Sequence, residues 1–474
     1  MNFNLILPEL LTALLAFTVL ILSLIIPKGK RGALLYLTIS GLVIILVFLY
    51  GMMGINDTFL NGMFLIDGLA TYFKFIIIIS ALFVTVLSLE YGNKHLAHVL
   101  GEYNVTLLFA VLGMMVLVSA GDLVTLYTAL ELMTLSFISL VGYGGLMKKA
   151  PEAAIKYILL SALSSAVLLY GLTLTYGIAR STMLVEIARQ INEGAGGQVL
   201  LLAVIFVVSA LAFKVSAVPF HMWTPDVYEG APTPVTAFLS VASKGAAFAI
   251  LLRLLLQIYG SSQLWLLVLM VITTLTLILG NYVAIPQTNI KRLMAYSGIA
   301  QAGYILLGVI AYSRTGLEAA IFYCMLYVFS NLGAFAVIIV MSNQLDSEEI
   351  ADYAGLWKRS PLMAATMLIC LLSLAGIPPL AGFYGKFYLF TAVMEQGYTW
   401  LVFVALAMSM VSVYYYLMVA KVMYLYEPGE GGPIRVSLPQ KLSMLVAMVV
   451  TLFLGVYPEP LTELAVSVAK ALMP

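Results

Sequence analysis

A succession of long apolar runs is the feature that most constrains how this chain can fold. Of its 474 residues, 63% are hydrophobic and only 9% are charged, whereas an ordinary soluble domain is about 25% charged. A bilayer core of about 30 Å needs roughly 20 apolar residues per helix. The sequence therefore predicts an all-α polytopic membrane protein with about fourteen transmembrane helices.

The spans divide the chain into four parts: an N-terminal three-helix segment (1–103), a first repeat (104–258), a second repeat (264–425), and a C-terminal helix with a short tail (426–474). We place the spans near 5–26, 33–55, 69–90, 104–120, 122–143, 151–179, 199–217, 234–258, 264–283, 290–312, 316–341, 362–376 continuing to 395, 398–425 and 440–457.

The basic residues in the loops predict the orientation. One alternate set of loops contains twelve and the other four. The twelve are Lys28, Lys30, Arg31, Lys94, Lys148, Lys149, Lys291, Arg292, Lys358, Arg359, Arg435 and Lys441, and the four are Arg180, Arg189, Arg314 and Lys470. The positive-inside rule places the richer set in the cytoplasm, and therefore both termini on the outer, periplasmic side of a cell membrane.

Composition excludes several functions. A net charge of +1 gives no basic surplus for binding nucleic acid. Cys324 and Cys370 each stand alone in an apolar run, with no iron–sulfur spacing. With only three histidines in the chain, we expect no bound metal and no redox cofactor.

Seven basic residues fall inside predicted spans, although a lysine at mid-bilayer costs about 2.5–3.5 kcal/mol. They are Lys74, Lys156, Lys214, Lys244, Arg253, Lys386 and Lys421. At 1.5 Å of rise per residue, Glu131, Lys244 and Lys386 lie about 12–15 Å from their helix starts. Lys214 lies near the break in its own span, so these four charges are close to one plane. We expect Lys74, Arg253 and Lys421 to extend toward the interface, and Lys156 either to do the same or to pair with Glu131.

Two spans are interrupted by proline, at 218–230 and 377–385. Such a break persists in a membrane only where it is buried in protein or lines a wet cavity. Five spans separate one break from the other, and an odd number inverts the second copy. The sequence thus predicts two inverted five-helix repeats, each with a broken helix. Lys214 precedes its break and Lys386 follows its own, so the repeats have diverged chemically.

A carboxylate and several lysines at one depth indicate proton transfer. Burial lowers the pKa of a lysine and a nearby carboxylate raises it again, so a change at the carboxylate can make the lysine release its proton. Purely structural roles remain as alternatives to proton transfer. Glu131 could be a static partner of a basic residue, and Lys214 and Lys244 could be members of structural ion pairs. His221 is either a satisfied core histidine or a proton bridge between the two lysines.

Five segments resemble the antiporter-like membrane subunits of proton-pumping NADH-quinone oxidoreductase, respiratory complex I, a family shared with multi-subunit cation/proton antiporters. They are 119–143, 151–171, 213–245 with its VPFHMWTPDVYEG stretch, 289–308, and 373–390 with SLAGIPPLAGFYGKFYLF. The resemblance covers essentially the whole chain. The short segment 458–474 is similar to the smaller members rather than to the largest, which carries a long lateral helix.

The resemblance implies a mid-membrane proton relay. By position it gives roles in that relay to Glu131, Lys156, Lys214, His221, Lys244, Lys291 and Lys386. It also implies that other membrane-arm subunits, including homologous ones, are the partners. Electron transfer, with its FMN, iron–sulfur clusters and quinone, would belong to those other subunits.

Three other functions stay open at this stage. A subunit of a sodium/proton antiporter would use the same polar residues. So would a subunit of a ferredoxin-, F420- or hydrogenase-linked complex. A purely structural scaffold would not explain four ionisable groups at one depth.

Overall fold

The structure is a computed structural model that describes residues 3–145, 148–260, 265–428 and 432–472. Its helices are α1 (Leu7–Ile25), α2 (Gly32–Gly51), α3 (Gly68–His95), α4 (Leu100–Val118), α5 (Leu123–Gly142), α6 (Ala150–Ala179), α7 (Leu184–Asn192), α8 (Gly197–Lys214), α9 (Trp223–Gly230), α10 (Thr233–Phe238), α11 (Lys244–Leu252), α12 (Trp265–Ala284), α13 (Ile290–Ile310), α14 (Arg314–Leu345), α15 (Leu356–Arg359), α16 (Pro361–Ala375), α17 (Ala381–Glu395), α18 (Thr399–Leu425), α19 (Leu438–Val456) and α20 (Glu459–Leu472).

Thirteen helical stretches in the described residues are long and apolar enough to cross a membrane. One of them is Thr233–Ile258, in which α10 and α11 are joined by a π-helical segment, Leu239–Ser243, and followed by another, Arg253–Ile258. The two shorter helices α16 and α17 meet at a break and together form one more crossing. The prediction of about fourteen spans in an all-α membrane protein is confirmed.

The two halves of the bundle pack in the same way. In the first half α4 packs on α5, α5 on α6, and α6 on both parts of the broken pair α8 and α9. In the second half α12 packs on α13, α13 on α14, and α14 on both parts of the broken pair α16 and α17. This correspondence fits the five-helix repeats that the two proline breaks predict.

Contacts between loops show which loops lie together at each end of the bundle. At the lysine-rich face, which carries the richer set of basic loops, Lys94 pairs with Asp346 at 3.0 Å and Lys358 with Glu427 at 2.7 Å. At the opposite face the amide of Leu65 donates to the Ser119 carbonyl at 2.7 Å. Loops that the charge pattern groups together therefore lie at one end of the molecule.

Some short elements escape prediction from apolar runs. A two-stranded antiparallel hairpin, β1 (Asp57–Phe59) and β2 (Phe64–Ile66), covers the opposite face beside the end of α4. The amphipathic α7 follows α6 at that face, and α20 packs on α3 and α14. None of these elements is long enough to span a bilayer, so a 20-residue window does not detect them.

Two of the three basic residues that we expected near the interface are buried instead. Lys74 Nζ lies 2.8 Å from Glu9 Oε1, with both side chains at most 7% exposed. Arg253 is 1% exposed and pairs with Asp67 at 2.7 Å. Lys421 is exposed, as expected. Both side chains are inside the protein because their carboxylates come from distant segments, which a span-by-span analysis does not bring together. Arg253 still lies level with helix ends, since Asp67 is the N-cap residue of α3 and Val118 is the last residue of α4.

Replacing Glu9 with glutamine should strongly destabilise the fold. Removing one partner of a buried ion pair typically costs about 3–5 kcal/mol, whereas replacing both partners by apolar residues costs far less. We therefore expect a lower thermal unfolding temperature in detergent for Glu9→Gln, and recovery in the double variant Glu9→Leu/Lys74→Met. Lys421→Met, at an exposed position, is the control. A double variant no more stable than Glu9→Gln would contradict this account.

Candidate functional site

The first broken helix stops at Lys214. Residues 215–222 are not helical, and α9 begins at Trp223, so the break is shorter and starts earlier than the predicted 218–230. Pro225 falls in the first turn of α9, where proline is tolerated. The freed backbone groups find partners: Trp223 Nε1 donates to the Phe213 carbonyl at 3.0 Å, and the Val218 amide to Thr276 Oγ1 at 2.9 Å.

Lys214 is buried at this break, and its ammonium donates to Thr134 Oγ1 on α5 at 2.6 Å. Glu131 lies one turn before Thr134 on the same helix and accepts a hydrogen bond from Ser165 Oγ on α6 at 2.5 Å. Glu131 and Lys214 are not within ion-pairing distance of each other. Each of the two groups therefore bonds a different hydroxyl, Lys214 that of Thr134 and Glu131 that of Ser165, and they do not form a salt bridge with each other.

Lys244 begins α11, directly after the π-helical segment Leu239–Ser243. Its ammonium donates to the Gly298 carbonyl on α13 at 2.8 Å and lies 5.8 Å from the centre of the Tyr228 ring. Counting from the helix starts at Leu123 and Ile290, Glu131 and Gly298 are each the ninth residue of their helix. Because α5 and α13 occupy corresponding places in the two repeats, Lys244 contacts the second repeat where Glu131 stands in the first.

The second broken helix also ends beside a lysine. Gly376 closes α16 with a φ of 86°, a conformation that favours glycine. Gly382, in the first turn of α17, has no room for a side chain, because a Cβ there would lie 1.7 Å from the Ser373 carbonyl oxygen. The break covers 376–380, so it is shorter than the predicted 377–385 at its C-terminal end.

Lys386 lies inside α17 and reaches back to the end of α16. Its ammonium donates to the Ala375 carbonyl at 2.9 Å and to Ser409 Oγ on α18 at 2.9 Å. The face of the Tyr304 ring lies 4.3 Å away. Ala375 is the last residue of α16, and the unpaired carbonyls at a helix C-terminus carry partial negative charge that favours a cation.

Lys214, Lys244 and Lys386 thus share one environment. Each is at most 4% exposed, and each donates to neutral oxygen atoms. Within the described ranges no carboxylate lies within 4.0 Å of any of the three ammonium groups. An ammonium without an ion-pair partner has a high desolvation cost away from water. No carboxylate offsets that cost for these three lysines, and loss of the proton would remove it.

The other predicted site residues lie elsewhere. Lys156 does not pair with Glu131; it pairs with Glu152 and Asp226, each at 2.7 Å. Lys291 is buried near the lysine-rich face, where it donates to Glu348 and to the Ala231 carbonyl, each at 2.7 Å. His221 lies in the first break, partly exposed. The structure gives no hydrogen bond in the described residues between His221 and Lys214 or Lys244.

A polar cavity opens beside Lys291. Its volume is about 330 Å³, and it is lined by the loops of the lysine-rich face together with Glu229, Lys291 and Glu348. Lys149, in the loop before α6, donates to Glu229, and that hydrogen bond raises the pKa of the Lys149 ammonium. Arg292 joins Asp226 at 2.9 Å and Glu229 at 2.8 Å. Lys149 and Glu229 thus line the cavity with Lys291, and Arg292 and Asp226 extend the charged network beside it.

Sequence reasoning missed the neutral partners of the lysines, namely Thr134, Ser165, Ser409 and the Ala375 and Gly298 carbonyls. A hydroxyl or a backbone carbonyl carries no charge that stands out in an apolar run, so no signal in the sequence marked them. In the described part of the chain no group of three His, Cys, Asp or Glu side chains is arranged to hold a metal ion.

Comparisons with known proteins agree with this architecture. The chain is 49% identical over 473 residues, 100% of its length and 99% of the relative's, to "NADH-quinone oxidoreductase subunit N" of Desulforamulus reducens. It resembles a chain of respiratory complex I from Thermus thermophilus with a TM-score of 0.83 and 31% identity, covering 97% of this chain and 99% of the other. A chain of the Mrp complex from Dietzia sp. DQ12-45-1b shares the fold, with a TM-score of 0.86, 22% identity, and coverage of 100% and 98%.

Residues 120–412, more than half of the chain, match the family described as "NADH:quinone oxidoreductase/Mrp antiporter, TM". That match and the full-length identity show that the chain belongs to this family of membrane subunits.

Proposed function

We propose that this chain is the proton-translocating subunit N of an NADH-quinone oxidoreductase. The observation that carries the proposal is the set of three buried lysines that only neutral oxygens contact. The name of the 49% identical, full-length relative supports the assignment to this enzyme. The electron carriers (FMN, iron–sulfur clusters and quinone) would lie in other subunits, so this chain contributes proton transfer to a reaction whose redox steps occur elsewhere.

The roles of the residues follow from their surroundings. Protons enter from the cytoplasmic side, which we assign to the lysine-rich face, through the 330 Å³ cavity that reaches Lys291. Lys214, Lys244 and Lys386 form a line across the middle of the membrane, and His221 and ordered water fill the gaps between side chains. Both termini then lie on the outer side of the cell membrane, because the number of crossings is even.

Glu131 couples the line to a neighbouring subunit. Its side chain is only partly buried, although it lies in a membrane-spanning helix, and the adjoining α6 exposes Leu159, Leu163 and Tyr170. A carboxylate cannot face hydrocarbon at low cost. A homologous membrane-arm subunit that covers this face would shield Glu131 and sense its charge.

A subunit of a sodium/proton antiporter is the alternative. The Mrp chain has the same fold, and the same lysines would serve either machine. At 22% identity that likeness establishes the fold alone. Transport assays of the purified complex distinguish the two: sodium-independent, NADH-driven proton pumping supports our proposal, and proton movement that requires sodium without NADH supports the alternative.

Glu131→Gln should lower NADH-driven proton pumping by about tenfold or more, as expected when a group that steers proton transfer loses its charge. Glutamine keeps an acceptor for Ser165 Oγ, so we expect normal assembly. Pumping is measured in proteoliposomes that contain the whole complex. Glu193→Gln, on the exposed end of α7, should be neutral. Full pumping by an assembled Glu131→Gln complex would argue against the coupling role.

Lys386→Ala should abolish most pumping, whereas Lys421→Ala should not change it. Both lysines lie on membrane-spanning helices, but Lys386 is buried against Ala375 and Ser409, and Lys421 is exposed. The comparison therefore distinguishes the effect of removing a lysine from the proposed line of buried lysines from the effect of removing a positive charge alone. Equal effects of the two substitutions would remove Lys386 from the relay.

Lys291→Ala should slow proton uptake from the lysine-rich face, because this buried lysine lines the polar cavity through which we propose that protons enter. The control is Lys358→Ala, an exposed lysine of the same face that pairs with Glu427. Proton uptake is followed with a pH dye outside inverted membrane vesicles after a pulse of NADH. If Lys291→Ala and Lys358→Ala give the same uptake rate, this cavity is not the way in.

A further inference from the structure

A group of buried polar side chains continues from Lys244 toward Lys386, and the proposed function above does not use it. We call Gln301, Tyr323, Tyr327 and Tyr416 the Gln301 cluster. They come from α13, α14 and α18, and each is at most 4% exposed. Four polar side chains placed so deeply need hydrogen-bond partners, and their partners show what the cluster connects.

One end of the cluster meets Lys244 across a small cavity. The cavity has a volume of about 10 Å³, and Lys244, Gly298, Gln301 and Tyr327 supply its polar lining. A Cβ built on Gly298 would lie 3.0 Å from Lys244 Nζ and 3.3 Å from Tyr327 Oη. The ammonium and the hydroxyl therefore face each other across the space that the missing side chain leaves.

The Tyr327 hydroxyl is the unexplained group in this cavity. It is buried and has no hydrogen-bond partner among the residues that the structure describes. Leaving a buried donor unsatisfied costs about 1–3 kcal/mol. A cavity of roughly 10–15 Å³ with two to four polar neighbours can hold one water molecule, and a water here would satisfy Tyr327.

The other end of the cluster leads to Lys386. Gln301 Nε2 donates to the Leu374 carbonyl at 2.9 Å, and the next carbonyl along the chain, that of Ala375, accepts from Lys386. Gln301 Oε1 accepts from Tyr323 Oη at 2.6 Å. Tyr416 Oη shares a hydrogen bond with Ser297 Oγ at 2.6 Å and lies 3.4 Å from Gln301 Nε2.

We propose that the cavity between Lys244, Gly298 and Tyr327 is a one-water site, and that this water and the Tyr327 hydroxyl accept the Lys244 proton on the side that faces Lys386. In one transfer an N–H bond of the Lys244 ammonium breaks as the water takes its proton, the water passes one of its own protons to Tyr327 Oη, and Tyr327 passes its hydroxyl proton to the ordered water of the proposed line of lysines. Lys244 loses one proton, that ordered water gains one, and the cavity water and Tyr327 keep their original number of protons. Gln301 is a positioning residue, because its amide holds two tyrosine hydroxyls and the end of α16.

This proposal rests on the proposed proton transfer along the lysines, but Gly298 allows the two to be tested apart. Gly298→Ala removes no titratable group. It places a methyl group in the cavity, between the ammonium and the hydroxyl. Gly177→Ala is the matched control, because a Cβ on that helical glycine meets nothing within 4 Å.

The experiment measures NADH-driven proton pumping, and the ratio of turnover rates in H₂O and D₂O, for whole complexes in proteoliposomes. We expect Gly298→Ala and Tyr327→Phe to lower pumping by about tenfold and to change the isotope ratio, since a proton-transfer step has become limiting. Gly177→Ala should behave as the unaltered complex, and Lys244→Ala should not pump.

Normal pumping and an unchanged isotope ratio in Gly298→Ala or Tyr327→Phe, beside an inactive Lys244→Ala, would overturn the one-water site and leave the proposed function standing. Normal pumping in Lys244→Ala would overturn both. If Gly298→Ala does not assemble, Tyr327→Phe decides the matter, since it only removes a hydroxyl whose partner we infer to be water.

Discussion

A lysine inside a membrane protein needs oxygen atoms around its ammonium group, and the way this chain supplies them shapes the fold. Breaking a helix exposes the carbonyls of its last turn, which no longer accept hydrogen bonds within the helix. The end of α16 offers the Ala375 carbonyl to Lys386 in this way. Gly382, in the first turn of α17, lets this helix approach that end closely, since it lies against Ser373 with no room for a Cβ. The break in the helix thus provides the carbonyl that the buried ammonium of Lys386 needs.

The two repeats reach similar surroundings by different routes. In the first, the lysine is the last residue of the half-helix and turns across to a hydroxyl on α5. In the second, the lysine comes from the following half-helix and points back. The central lysine belongs to neither break and joins them, because Lys244 lies in the first repeat and binds a carbonyl of the second. The two repeats keep the same backbone arrangement but carry their lysines at different positions. Together they can therefore supply one continuous line of buried lysines.

The sequence predicted the helices and the two breaks, because the length of an apolar run and the place of a proline are local properties. It did not predict partners. Glu9 and Lys74 are 65 positions apart, and Asp67 and Arg253 are 186 apart in the chain; only the packing of helices brings each pair together. The pairing of Lys156 with Asp226, 70 positions away, was missed for the same reason, whereas its pairing with Glu152, one turn away on the same helix, was within reach of the sequence. Thr134 and Ser409 look like any other hydroxyl in an apolar run, and the hairpin at 57–66 is too short for its pattern to stand out.

These partners divide the buried cations into two classes. Lys74 and Arg253 each touch a carboxylate, at 2.8 and 2.7 Å, and removing a proton from such a pair would leave an uncompensated negative charge. The role of these two pairs is to hold helices together. Lys214, Lys244 and Lys386 touch hydroxyls and carbonyls, which can accept hydrogen bonds from an amine as well as from an ammonium. These three lysines can therefore change charge without breaking their contacts, whereas Lys291, at the proposed entry, is paired with Glu348 at 2.7 Å. A proton relay built into a packed core needs this property, because the core does not rearrange each time a proton passes.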